Sequence, residues 1–227
     1  MTSTQALPLC THDDKKRTHQ TKGEDMTHPN WEQRYVENNI PWETNKPDIH
    51  LQRLFGDLDI SSGKAIEIGC GTGNNVIWLQ QQGLETLGLD MSPTAISMAR
   101  EKAKQQSSQA QFEVKNFLTE DIEDRFDFAY DRGCFHTFSD TETRSQFASR
   151  LAALLEPKGI WHSLIGSTDG PPRDFGPPRR SAAEICAAVE PYFEIQRLTA
   201  VTFDEGDHKQ AKAWILVAQK REDTPSP

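Results

Sequence analysis

The stretch Ala65–Leu79, AIEIGCGTGNNVIWL, sets Gly69, Gly71 and Gly73 between an apolar run with strand character and one with helical spacing. Three glycines at such a junction leave bare backbone beyond the end of a strand, where a ligand can lie directly against main-chain atoms. The loop therefore commits the chain to a strand–loop–helix unit, and the runs that follow repeat it. KAIEIG (64–69), ETLGLD (85–90), AQFEVKN (110–116), RFDFAYDRG (125–133) and GIWHSLIG (159–166) read as strands. Between them, NNVIWLQQQG reads as a helix closed by Gly83. SPTAISMAREKAKQQ (92–106) is a helix with Ser92 as N-cap and Pro93 at its first position. TETRSQFASRLAALLEPKG (141–159) is a helix that must stop before Pro157, and a further helix opens at Ser181 with Glu184 placed for a capping box. Alternating strands and helices predict an α/β fold: a doubly wound, mostly parallel seven-stranded sheet with ligands at the carboxyl ends of its strands. The last two strand-like runs, FEIQRLTAVTF and AKAWILVAQK, are joined only by DEGDHKQ. That is too short for a crossover, so a C-terminal antiparallel hairpin is expected.

The chain's 227 residues suit one such domain. Residues 1–26 are polar and unpatterned and read as a disordered tail, 27–221 as a single domain and 222–227 as a second tail; Met26 opens a more structured stretch. A net charge of −9 argues against nucleic acid or an acidic membrane held through bulk charge, while leaving room for a local basic site. No apolar run approaches the roughly 18 residues of a membrane span, and the first residues lack the apolar region of a secretory signal. Cys10, Cys70, Cys134 and Cys186 are scattered with no CxxC pair, which points to a reduced cytoplasm and to no metal site. The expected partner is a small molecule, with the protein a monomer or weak homodimer.

The glycine spacing is G-x-G-x-G, a poor fit to the dinucleotide fingerprint G-x-G-x-x-G. Glu67 lies two places before the first glycine, and Asp90 ends the second strand, where a ribose-binding acid belongs in this architecture. A carboxylate at Asp90 can accept from both ribose hydroxyls, and one at Glu67 suits a cationic amino group. The pattern asks for a nucleoside joined to an amino acid. EIGCGTG with GLDMSPTAI resembles the first two motifs of the class I S-adenosylmethionine-dependent methyltransferases, over roughly residues 60–165. The resemblance implies S-adenosylmethionine as cofactor, held by Glu67, Gly69, Cys70, Gly71, Gly73, Asp90 and Met91. It offers Asn116 to the adenine amine, with Phe117 as an apolar wall; Asn116 is equally suited to be a turn residue.

WEQRYVENNIPWETNKPD (31–48) resembles the N-terminal signature of the thiopurine, halide and tellurite-resistance methyltransferase group, in which this segment folds over the cofactor. Trp31, Tyr35 and Trp42 would then form an aromatic lid within about residues 27–50, facing a sulfonium with ring electron density. The same rings would also serve to anchor a helix on the sheet. YDRGCFHTF (130–138), at the end of the fourth strand, places Asp131, Arg132 and His136 as catalytic candidates, with His136 a general base or a polar anchor. Phe135, His136 and Trp42 are candidates to touch the methyl acceptor. The long loop GSTDGPPRDFGPPRRSAAEI (166–185) brings Arg173, Arg179 and Arg180 as holders of an anionic acceptor or as solvated charges. The sequence thus predicts an S-adenosylmethionine-dependent methyltransferase of small sulfur or other chalcogen acceptors, such as a thiol, hydrogen sulfide, methanethiol, or a selenium or tellurium species. The rivals are O- or N-methylation of a small carboxylate or amine, and a non-catalytic regulatory protein that only binds the cofactor. An intact loop together with an intact lid argues against the last.

Overall fold

The apolar runs assemble into one sheet, seen in a computed structural model that describes residues 1, 30–58, 60, 62–172, 176–203 and 211–222. The expected tail over 1–26, the start near Met26, the connection 204–210, most of the tail over 222–227 and Arg173 lie outside the described residues. Strands β1 (Lys64–Ile68), β2 (Glu85–Asp90), β3 (Gln111–Val114), β4 (Phe126–Arg132), β5 (Leu155–Gly166), β6 (Phe193–Thr202) and β7 (Lys212–Lys220) stand in the order β3-β2-β1-β4-β5-β7-β6. Strands β1 to β5 pair in parallel, and β7 is antiparallel to both β5 and β6, which gives the expected hairpin.

Helices α1 (Trp31–Val36), α2 (Ile49–Asp57), α3 (Asn74–Gln81), α4 (Pro93–Gln105), α5 (Thr141–Leu154) and α6 (Ala182–Val189) complete the fold. One sheet face is covered by α2, α3 and α4, where Leu51, Leu54 and Leu79 meet Phe128 and Tyr130, and Ile96 and Ala99 meet Val76. The other is covered by α5 and α6, where Phe147, Leu151, Ile185 and Val189 meet Trp161 and Phe193. Helix α4 starts as its sequence dictates. Ser92 Oγ accepts from Ala95 N–H, Pro93 follows, and Ala95, Ile96, Ala99 and Ala103 form the buried stripe. The Ser181–Glu184 capping box is formed at α6.

One boundary and one element differ from expectation. Strand β5 begins at Leu155 rather than 159, because Leu155 pairs with Phe126 across an irregularity in the β4 register. Helix α2 is an element the sequence reading passed over; Asp48 caps it, accepting from His50 and Leu51 N–H. Strand order reverses between β1 and β4, so the crevice for a ligand opens at their carboxyl ends. Among the described residues no helix is long and apolar enough to cross a membrane.

Candidate active site

The loop after β1 turns on glycines with φ of 70°, 54° and 80° at Gly69, Gly71 and Gly73, in the left-handed region that side chains disfavour. At Gly69 a side chain is excluded by space as well. Its Cβ would stand 2.9 Å from Cys134 Cβ, because the turn after β4 closes on the loop. Gly71 N–H donates to Asp90 Oδ2 (2.9 Å) and Ser92 N–H to Asp90 Oδ1 (2.9 Å), so the loop and the end of β2 are tied through one carboxylate. Each of its oxygens keeps a second lone pair for a ribose hydroxyl. Met91 beside it is 57% exposed, open to a flat ligand. Glu67 is buried and accepts from Asn75 Nδ2 (2.8 Å) through one oxygen, while the other is buried without a partner among the described residues. An orphaned carboxylate oxygen calls for a donor, and the amino group of S-adenosylmethionine would supply one. Cys70 turns its side chain into the core between α3 and β2 and contributes small size.

Trp31, Tyr35 and Trp42 do come together. Trp42 stands edge-on to Trp31 (5.3 Å between centroids) and to Tyr35 (5.9 Å), and its Nε1–H donates to Tyr35 Oη (3.2 Å). The Tyr35 hydroxyl lies 2.8 Å from where a Gly71 Cβ would be, which seats the cluster on the glycine loop. Burial pushes that hydroxyl well above its ordinary pKa, so it stays neutral.

The segment after β4 departs from expectation at several residues. Asp131 is fully buried and accepts from Cys134 N–H (3.1 Å), Phe135 N–H (2.9 Å) and Trp161 Nε1–H (3.1 Å). It shapes the turn and has no face toward a substrate, so it is not a catalytic residue. Arg132 is a brace: Nε donates to Asp48 Oδ2 (2.8 Å), an Nη donates to Trp42 O (3.4 Å), and the guanidinium lies over Phe203 (5.4 Å). Phe135 is fully buried against Phe147 and Trp161 and cannot touch an acceptor. His136 Nδ1 accepts the Gly166 N–H at 2.6 Å. That bond leaves Nδ1 without a proton, so a neutral His136 carries its hydrogen on Nε2. It is a donor there and not a general base. Burial pushes the Cys70 and Cys134 thiols up, so neither is a thiolate.

Asn116 opens a turn: its side-chain oxygen, the atom an adenine amine needs, takes the Leu118 N–H (3.0 Å) through one lone pair, and its backbone N–H donates to Glu120 (2.7 Å). Phe117 is buried against Phe147 rather than lining a crevice. Arg179 donates to Pro171 O (2.9 Å), with its stem beside Gly166 and hence near His136. Arg180 donates to the His136 and Phe138 carbonyls (3.2 and 2.8 Å), a structural use. The sequence reading missed Asp48 and Asn75, whose bonds join Glu67 to Arg132 and so to the lid.

Residues 26–222 match the family described as thiopurine S-methyltransferase (TPMT). The chain belongs to this family. Its fold is the Rossmann-like one of methyltransferases, as the loop motif implied. Among curated relatives, a probable thiol methyltransferase 2 from Arabidopsis thaliana is 29% identical over 150 residues, 65% of each chain. The match thus spans less than two thirds of that relative. A 2-heptyl-1-hydroxyquinolin-4(1H)-one methyltransferase from Mycobacteroides abscessus is 25% identical over 81% of this chain and 82% of its own. Among solved structures, one from work on the conversion of a disulfide bond into a thioacetal group during echinomycin biosynthesis has 27% identity and a TM-score of 0.70, covering 81% of this chain and 86% of that one.

Proposed function

We propose that the protein methylates a small sulfur or other chalcogen acceptor that reaches the site already ionised, as a thiolate, hydrosulfide or similar anion. One observation carries this reading: of the three residues placed by sequence at the chemistry, Asp131 and His136 already accept hydrogen bonds from Trp161 and Gly166, and Arg132 is a guanidinium that donates to Asp48. An acceptor that must lose a proton during transfer finds none of them able to take it. The names of the family and of the thiol methyltransferase relative point the same way.

Bound S-adenosylmethionine supplies a methyl group on a sulfonium that is its own leaving group, so the reaction needs alignment and exclusion of water more than acid–base help. Asp90 would hold the ribose and Glu67 the amino group, with the backbone of Gly69–Gly73 against the chain between them. Trp31, Tyr35 and Trp42 exclude water and face the cation. Arg179 passes its stem beside Gly166 and carries its guanidinium to Pro171 O, adding positive charge on that side of His136.

The hydroxyquinolinone methyltransferase relative, which covers more of both chains, supports a second reading with an oxygen or nitrogen acceptor. Labelled cofactor assayed against hydrogen sulfide, methanethiol, aromatic thiols, thiopurines, selenite, tellurite, halides, a hydroxyquinolinone and small amines separates the two. The first reading expects turnover with the thiols and an inflection of kcat/KM against pH that moves with each acceptor's own pKa. Turnover confined to oxygen or nitrogen acceptors, or an inflection fixed at one pH for every thiol, overturns it.

A further inference from the structure

The aromatic lid is fastened to the sheet by two carboxylates that no motif marks. Glu32, on α1, accepts from Ser92 Oγ (2.5 Å), Thr94 Oγ1 (2.5 Å) and Thr94 N–H (3.1 Å) at the start of α4. Glu43 accepts from Thr72 Oγ1 and Asn74 Nδ2 (2.6 Å) at the start of α3, and stands 3.8 Å from Lys102 Nζ. Neither helix carries an acidic residue in its own first turn, and α3 begins at Gly73 with no side-chain cap. A helix start favours negative charge through its dipole and its unpaired N–H groups. Here the lid segment supplies that charge to both helices. The two starts flank the crevice, one after the glycine loop and one directly after Asp90. Each glutamate is the chain neighbour of a lid tryptophan, Glu32 of Trp31 and Glu43 of Trp42.

We propose that Glu32 and Glu43 are positioning residues for methyl transfer, a two-point latch that uses the starts of α4 and α3 as sockets and sets Trp31, Tyr35 and Trp42 over the glycine loop. This rests on the lid role proposed above. Arg132, bonded to Trp42 O, is a third tie to the same segment and orients it from the β4 side. The sheet core contains neither glutamate, so the latch governs where the lid stands and not whether the sheet folds.

The test uses the full chain with E32Q, E43Q and the double variant, which keep side-chain size but remove the charge. Hydrogen exchange of residues 30–48 is measured alongside that of β1, β4 and β5, without any acceptor present. In the double variant the lid segment is expected to exchange at least about tenfold faster, the scale for losing charge-assisted hydrogen bonds, while the strands are unchanged. With an active acceptor, kcat is expected to fall more than the acceptor KM rises. Unchanged exchange over 30–48, an equal rise across the sheet, or a loosened lid with unaltered kcat each overturns the latch. Absence of turnover with every sulfur acceptor would instead count against the function, since exchange is read without one.

Discussion

The glycine loop and the aromatic lid meet over one crevice but are held in opposite ways. The loop is fixed by backbone: left-handed glycines, buried neighbours and amides tied to Asp90. The lid is fixed by side chains reaching 29 to 90 residues along the chain, from Glu32, Glu43 and, through Arg132, Trp42. The difference separates two kinds of fragility. Changing the loop should cost the fold or the cofactor; changing the lid should cost rate and leave the fold intact.

The most damaging test is Gly73→Ala. The new Cβ would lie 2.7 Å from Phe112 Cε1 and 3.0 Å from Ala99 Cβ, at a φ of 80°. Backbone strain and overpacking together should cost about 2–5 kcal/mol in chemical denaturation. A loss near zero would mean the loop is slack and the contrast false. Trp42→Ala comes next, on the lid side. It should lower kcat on the order of 100-fold, the scale of a small misalignment of reacting atoms, with its melting temperature nearly unchanged. If stability falls as far as turnover, the lid is part of the core after all. Asp90→Ala should weaken S-adenosylmethionine binding by roughly 1.5–3 kcal/mol in calorimetry; undiminished affinity would remove the ribose role and leave Asp90 only its two backbone amides.

The smallest effect is on pH. Burial pushes the Glu43 carboxyl up, but hydrogen bonds from Thr72, Asn45 and Asn74 and the Lys102 charge together hold it below its ordinary value of 4.5. Glu32 is held below 4.5 by hydrogen bonds from Ser92 and Thr94. A depressed carboxyl stabilises the docked lid fully above its ordinary pKa and loses that contribution as pH falls through the depressed one. Lid docking followed by tryptophan quenching should therefore be level from neutral pH to about 5 and weaken below 4.5. A change centred near pH 6 to 7 would point to a histidine instead.

The elements legible in the sequence were those with local causes. Ser92 with Pro93, Ser181 with Glu184, the glycine triplet and Asp90 announce themselves within a few residues, and the structure shows the caps and the glycine turn as read, the cofactor roles of the glycines and of Asp90 remaining proposals. Helix α2 was equally local, with Asp48 as cap and Leu51, Leu54, Phe55 and Leu58 on one face, but it lies between the stretch read as lid and the first strand, where no element was assigned. The turn after β4 was misassigned because proximity in sequence does not fix direction. Phe135 and His136 are neighbours on a 3₁₀ turn, yet one faces Phe147 and Trp161 and the other Gly166. Glu32 and Glu43 had no signal at all, since two surface-type glutamates gain meaning only from helix starts 29 and 60 residues away.

The strand order also bears on how the chain is made. Strand β6 leaves the ribosome before β7, yet among the described residues pairs with β7 alone, and β7 must slip between it and β5. The last residue of β7 lies 18 residues beyond that of β6, about one to four seconds of synthesis at ordinary rates. The flank of β5 around Leu164 and Ile165, later buried, waits longer still: β5 ends at Gly166 and its partner β7 at Lys220, 54 residues or about three to eleven seconds of synthesis later, and until then it is open to foreign strands. The finished edge is guarded differently: β6 keeps Glu194, Gln196 and Arg197 exposed along it, charged and polar groups that discourage pairing. The nascent protein thus passes through a period in which a strand bound for the core depends on a chaperone or on speed, and the mature one no longer does.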